Sequence, residues 1–312
     1  VKPEDFDFLA ATVKVRSGIV LTRDKAYLLE SRLMPVARKR NFNGLSEMVA
    51  AMRARDAALI ADVVEAMTTN ESFFFRDGRP FELFRQTVLP RLVATRGSKR
   101  QFRIWCAAAS SGQEPYSLAM ILKEDAGRLA GWRHEIVGTD LSPEILAKAR
   151  NGLYTQFEVQ RGLPVQMLVK YFKKEGDNWQ IDPALRAMIR YSPFNLLEDP
   201  RSLGGFDVVF CRNVLIYFDQ ETKGKVLDGI ANVLADDGVL FLGGAETVLG
   251  ITNRFKPVPG QRGVYCRVET SDSLARDIAA AATQAPPPPR AVPGLAKPLG
   301  APLAAPLPRR PV

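Results

Sequence analysis

Ile104-Trp-Cys-Ala-Ala-Ala-Ser-Ser-Gly-Gln-Glu-Pro-Tyr-Ser117 is the stretch that decides the fold. The apolar run from Phe102 to Ala108 has the length and composition of a strand buried on both faces. Small residues follow, Ala107 to Gly112. Glu114, Pro115 and Ser117 then open a helical pattern, with proline in the first turn, where its missing N–H costs nothing. Strand, tight turn and helix in this order bring backbone close to a ligand at the edge of an open α/β sheet. A second apolar strand, Glu135 to Thr139, ends in Asp140, an acid placed to accept hydrogen bonds from ribose hydroxyls. A third, Phe206 to Phe210, runs into Cys211-Arg-Asn-Val-Leu-Ile-Tyr-Phe218. Three strand ends with polar tips define one crevice.

The first turn holds a single glycine rather than G-x-G-x-x-G, and close approach to a pyrophosphate usually needs more. A cofactor without phosphates fits better, and S-adenosylmethionine is one. From the turn and Asp140 alone, a nucleoside-type cofactor and a purely structural α/β turn stay equally open.

Composition narrows the class. The chain has 312 residues, 46% hydrophobic and 25% charged, as in ordinary globular proteins. No apolar run is long enough to span a bilayer, and Val1-Lys-Pro-Glu-Asp-Phe is not patterned as a secretory signal. Cys106, Cys211 and Cys266 lie in apolar strand-like runs without metal or redox spacing, so they read as reduced core thiols of a cytoplasmic protein. With His134 the only histidine, no metal site is expected. The formal charge of +9 favours acidic partners without choosing among them, and also suits simple solubility.

Residues 1–67 read as an all-helical domain, with helical spacing over Pro3 to Val15, Asp24 to Arg40, Gly44 to Arg53 and Asp56 to Met67. Lys25, Arg32 and Lys39 recur every seventh position and form a stripe, either a solvated face or a docking surface for an acidic partner helix. Pro35 is expected to kink that helix. Residues 68–100 are a linker and connecting helix. Phe73, Phe74 and Phe75 make the linker too aromatic to lie free. Residues 101–270 alternate strands and helices, the signature of a doubly wound, Rossmann-like sheet. A segment at about 152–192 interrupts that rhythm as an inserted β-subdomain, and Gly238 to Val268 reads as a closing antiparallel pair on the sheet edge. Ten of the 22 prolines fall between Pro286 and Pro311, so 271–312 reads as a disordered Pro/Ala-rich tail, dispensable for chemistry.

Five ordered motifs then carry a family. Thr69-Asn70-x-Ser72-x-Phe-Phe-Arg76, Ala108-Ala-Ser-Ser-Gly-x-Glu-Pro-Tyr-Ser117, Gly138-Thr-Asp140, Phe194-Asn195-Leu-Leu197 and Phe210-Cys-Arg-Asn-Val-Leu-Ile-Tyr-Phe218 resemble the chemotaxis receptor glutamate methyltransferases, the CheR family. The resemblance spans about residues 4–269. It implies methyl transfer from S-adenosyl-L-methionine to glutamate side chains on chemoreceptor cytoplasmic helices, leaving S-adenosyl-L-homocysteine. It also implies a helical domain, linker, α/β domain and small β-subdomain. Residue by residue, it places Asn70, Ser72 and Arg76 at the cofactor through the linker, and Glu114 and Asp140 through the α/β domain. Asn195 and Leu196 match a pair near the adenine, Arg212 and Asn213 the pair after the next strand, and Tyr217 the hydroxyl near the transferred methyl. Where the family often reads Gly-His-Ser-Glu, this chain has Gly243-Gly-Ala-Glu246. The Lys174 to Asn178 turn is shorter than in members that grip a receptor's C-terminal pentapeptide.

Methylating a glutamate requires no general base, because the carboxylate is already ionised at neutral pH. The enzyme must align the reactants and exclude water. Arg76 and Tyr217 are the candidate catalytic residues, the first positioning a carboxylate and the second orienting the nucleophile or facing the cationic methyl. Each has a plainer reading: Arg76 a surface charge, Tyr217 a core aromatic, Glu114 an acid suited to a helix start. Two other functions compete: a non-catalytic S-adenosylmethionine-binding adaptor, and a nucleic-acid methyltransferase. Arg212-Asn-Val-Leu lacks the prolines that amino-directed enzymes of the latter kind use to hold a flipped base. The expected partner is therefore receptor protein, with no nucleic acid, no membrane insertion and a monomeric enzyme.

Overall fold

The computed structural model describes residues 2–269 together with Arg276, Ile278 and Ala280. The expected 271–312 tail otherwise lies outside the described residues. The amino-terminal helices are α1 (Pro3–Ser17), α2 (Ala26–Lys39), α3 (Leu45–Arg53) and α4 (Ala57–Met67). Leu9, Val13, Leu29, Leu33, Met48, Val49, Leu59 and Val63 close their shared core, and Asp56 caps α4 by accepting from Leu59 N at 2.9 Å. Lys25 lies in a separate tight turn before α2, and α2 is continuous through Pro35. Pro35 and Ser31 are both exposed, so water can take the carbonyl that the missing N–H frees.

The linker descends over the α/β domain into α5 (Arg79–Leu83), a wide π-type turn (Phe84–Val88) and α6 (Leu89–Thr95). Phe74 is fully buried, edge-on to Tyr154 and Phe172 with ring centroids at 5.0 and 5.5 Å. Gly162 passes so close beneath it that a Cβ there would stand 2.0 Å from the Phe74 carbonyl oxygen. The aromatic linker is thus packed, as its composition requires.

The main sheet holds β1 (Gln101–Ala107), β2 (Arg133–Asp140), β6 (Ile189–Pro193), β7 (Phe206–Cys211), β8 (Leu234–Leu242), β9 (Phe255–Pro257) and β10 (Val264–Arg267). Their order is β6-β2-β1-β7-β8-β10-β9, parallel except where β10 inserts antiparallel between β8 and β9. Helices α7 (Gln113–Glu124), α8 (Pro143–Asn151) and α12 (Gln220–Val233) alternate with the strands. Alternate residues of β1 enter opposite cores, Ile104 and Cys106 on one face and Trp105 and Ala107 on the other. All three cysteines are buried, and none is in a disulfide among the described residues.

The insertion forms its own antiparallel sheet from β3 (Leu153–Thr155), β4 (Phe172–Glu175) and β5 (Asn178–Ile181), in the order β3-β5-β4, with α9 (Gln156–Gln160), α10 (Val165–Tyr171) and α11 (Pro183–Arg186). One sequence expectation fails here. The insertion expected to run to about 192 ends sooner, because Ile189–Pro193 is β6, which pairs in parallel with β2 and belongs to the main sheet. Its alternating burial resembles that of an insertion strand because it is the sheet's edge. A second failure concerns the tail: Ile278 is fully buried in the main core, so the packed chain extends beyond 270.

Candidate active site

The strand order reverses direction between β1 and β7, the place where open α/β sheets leave a crevice at their carboxyl ends. A cleft open to solvent lies there. Its wall contains Asn70, Ser72, Arg76, Glu114, Asp140, Asn195, Leu196, Arg212, Asn213 and Tyr217, ten residues drawn from five separate motifs.

The turn after β1 shapes the floor. Ala108 and Ser110 adopt left-handed backbone (φ 60° and 51°), an uncommon conformation for residues with a Cβ. Asp140, at the tip of β2, holds this turn: its carboxylate accepts from Ser110 N at 2.8 Å and Ser142 N at 3.1 Å. Asp140 is buried, and burial pushes its carboxyl above the ordinary aspartate value while the Ser142 and Ser110 N–H groups pull the other way. Ser110 Oγ reaches back to Asn70 O at 3.0 Å, tying turn to linker.

Opposite stands an ionic hub. Arg212, its side chain 2% exposed, donates to Glu114 Oε2 at 2.9 Å, Asp77 Oδ2 at 2.6 Å and Arg76 O at 2.9 Å. Burial pushes the Glu114 carboxyl up, against the opposing pull of the Arg212 charge. Arg76 lies over the Phe73 ring at 5.3 Å and donates to Glu71 O at 3.1 Å, with the rest of its guanidinium toward the cleft it lines. Tyr217 occupies a short helical turn, Leu215–Tyr217, on the far wall.

The helical domain supplies part of that wall. Ser17 and Ile19 line the cleft, Ile19 bridges Phe218, and Val20 N donates to Tyr217 O at 2.9 Å. Asn195, expected near an adenine, lines the cleft but directs its Nδ2 to Arg16 O at 2.7 Å, so its amide also joins the two domains. Nothing in the local sequence around Ser17 or Ile19 marks them, because their place depends on packing between distant segments.

Lys25, Arg32 and Lys39 lie outside the cleft, and the expected stripe is corrected. Lys25 precedes α2, and Arg32 spends its guanidinium on Met67 O (2.9 Å), Thr68 O (3.0 Å) and Thr69 Oγ1 (3.1 Å). The carbonyls at the end of α4 need donors, and Arg32 supplies them. Lys25 and Lys39 remain exposed. Glu246, given no role from the sequence although it ends the Gly243-Gly-Ala-Glu246 segment, carries a carboxylate that sits under the loop bearing Arg212 and Tyr217. An acid directly after a buried strand and three small residues is the signal that could have found it.

Two buried polar atoms in this wall, Arg212 Nε and Asn213 Oδ1, have no hydrogen-bond partner among the described residues. The same cleft is lined by Leu141, Phe194, Leu196 and Val214 as apolar surface and by the carboxylates of Glu114 and Asp140. The chemistry suits a ligand with a flat apolar ring, a diol and an amino-acid end. S-adenosylmethionine has these parts. Among the described residues no cluster of metal-ligating groups occurs, and no helix is long and apolar enough to cross a membrane.

Fold and cleft together define a Rossmann-like methyltransferase domain behind an all-helical domain. Residues 70–264 match the CheR methyltransferase SAM binding domain and residues 4–68 the CheR methyltransferase all-alpha domain. Chemotaxis protein methyltransferase 1 of Pseudomonas aeruginosa is 40% identical over 270 residues, covering 85% of this chain and 98% of that protein. Chemotaxis protein methyltransferase Cher2 of Pseudomonas putida is 38% identical, covering 83% and 96%. The chemotaxis protein methyltransferase of Vibrio anguillarum is 36% identical, covering 86% and 98%. The chain belongs to the CheR methyltransferase family and carries its S-adenosylmethionine-binding domain.

Proposed function

We propose that this protein is a protein-glutamate O-methyltransferase acting on the cytoplasmic helices of methyl-accepting chemoreceptors, giving glutamyl 5-O-methyl esters and S-adenosyl-L-homocysteine. The observation that carries the reading is the convergence of ten motif residues, scattered from Asn70 to Tyr217, on one cleft. When bound, S-adenosylmethionine supplies an electrophilic methyl on a cationic sulfur.

The chain's own residues do the rest. Asp140 offers acceptors to a ribose diol, and Leu141, Phe194 and Leu196 offer apolar surface to a base. Arg76 positions a carboxylate by charge-assisted hydrogen bonds. Tyr217 orients the attacking oxygen from the opposite wall. Glu114 is paired with Arg212, which is also held by Asp77 and the Arg76 carbonyl, so this pair fixes geometry rather than exchanging protons. A base is unnecessary, and the linker and Ile19 form part of the wall around the site. Lys25 and Lys39 supply exposed positive charge for an acidic receptor surface.

The test incubates the protein with methyl-labelled cofactor and receptor-containing membranes. Glutamyl methyl esters release their label in alkali, whereas N-methyl groups do not, so alkali-stable label overturns the reading. Arg76→Ala and Tyr217→Phe are expected to lower turnover more than cofactor affinity. Reversing the charges of Lys25 and Lys39 together should raise KM for receptor, and added salt should mimic it in the wild type. Equal KM at low and high ionic strength counts against electrostatic docking.

A further inference from the structure

Glu246 presents a buried carboxylate to four backbone N–H groups. Oε2 accepts from Gly243 N at 2.7 Å and Asn213 N at 2.8 Å; Oε1 accepts from Val214 N at 3.0 Å and Ile216 N at 3.3 Å. Three of the four donors belong to the loop between β7 and α12, wrapped around one side chain. An ionised acceptor strengthens such bonds well beyond those between neutral groups. The loop needs that hold. Asn213 sits in the left-handed region at φ 60°, a conformation asparagine tolerates better than most residues but one that a fixed neighbour still helps to select.

The same contact explains Gly243. A Cβ there would stand 2.8 Å from both Glu246 Oε2 and Asn213 Nδ2, and 3.0 Å from Asn213 N. The end of β8 can deliver the carboxylate to the β7 loop only through a residue without a side chain. What the loop carries gives the contact its purpose. Arg212 immediately precedes the captured amides and Tyr217 immediately follows them, and both line the cleft.

We infer that Glu246 is a positioning residue for methyl transfer, whose carboxylate holds the Arg212–Tyr217 loop in register with the cleft. The inference rests on the function proposed above for its turnover readout and is independent of it for its structural one. Glu246→Gln sets an amide NH₂ against at least one pair of the N–H donors while keeping size and shape. Exchange of backbone amides in the 211–218 peptide should then accelerate at least tenfold. Turnover at saturating cofactor and receptor should fall at least tenfold. S-adenosylhomocysteine affinity, measured by calorimetry, should fall several-fold less than turnover does, because Asp140 and Asn70 lie on other elements even though Arg212 and Asn213 ride on this loop. A residue that merely stabilised the fold would not produce that split in a protein assayed well below its melting temperature. If Glu246→Gln does not fold, Gly243→Ala probes the same contact and should show the same order of effects. Unchanged exchange in the 211–218 peptide overturns the inference, whatever the enzyme methylates. Accelerated exchange with turnover intact, or with affinity lost as far as turnover, overturns the assignment to the transfer step. If the wild type methylates no receptor, the function proposed above fails and the exchange measurement still decides the role of Glu246.

Discussion

Asp140 shows how one side chain serves structure and ligand together. Its carboxylate already accepts from two backbone N–H groups, one on each oxygen, which leaves lone pairs for a diol. Asp140→Asn should weaken S-adenosylhomocysteine binding by about 1.5–3 kcal/mol, the worth of charge-assisted bonds lost from a buried site. The pH dependence follows from burial. The folded carboxyl titrates above the ordinary value of 3.8, and the ionised form is the one that accepts from a ribose. Affinity should therefore be full at neutral pH and fall on acidification sooner than an ordinary aspartate allows. For the folding equilibrium the sign is opposite: a raised folded pKa favours the fold at low pH and that contribution is lost as pH rises. Calorimetry of ligand binding across the acid range separates the two, and in Asp140→Asn the acid limb should disappear. At this scale the sequence was informative, since a strand tip followed by a helix start limits what an acid there can do. It could not reveal Asn195's bond to Arg16, which depends on how two domains meet.

The elements repeat this division. Strands β1, β2 and β7 were legible because parallel strands buried on both faces are apolar throughout, and their ends placed the cleft. The edge strand β6 was misassigned because one exposed face gives it the alternation of a peripheral hairpin. One member of the expected docking stripe, Arg32, is engaged within the chain for a different reason. Heptad spacing fixes which residues share a face, but Arg32 faces the partly buried carbonyls that end α4. The linker was the best-read irregular element: three consecutive phenylalanines demanded a partner, and the inserted subdomain provides it through Tyr154 and Phe172. Tyr154 in turn donates to Ser111 O at 2.7 Å, so insertion, linker and cofactor turn form one packed unit. Phe74→Ala should cost about 3–5 kcal/mol, the usual cost of emptying a buried aromatic site. Urea denaturation with unchanged midpoint and slope would show that the linker does not share the main core.

At the scale of the whole molecule, composition marked the boundary of the packed chain too early. Proline and alanine enrichment after residue 270 reads as a tail unable to build a core, and that reasoning holds for a segment taken alone. A single apolar side chain can still be recruited by a core that exists without it. Ile278 is such a case, fully buried among the residues of the main core although its sequence neighbourhood is polar and small. Two truncations distinguish the boundaries. Ending the chain after Glu269 removes Ile278 and should lower stability by about 2–4 kcal/mol, the range for deleting a buried aliphatic side chain, with a clear drop in melting temperature. Ending it after Ala285 removes the proline-dense segment from Pro286 onward and keeps Ile278. That protein should melt with the full chain and retain its activity on purified receptor fragments. If the two truncations melt together, Ile278 contributes nothing and the boundary returns to 270. If both melt below the full chain, apolar residues beyond 285 also reach the core, and the low apolar content of the tail would no longer argue for its dispensability.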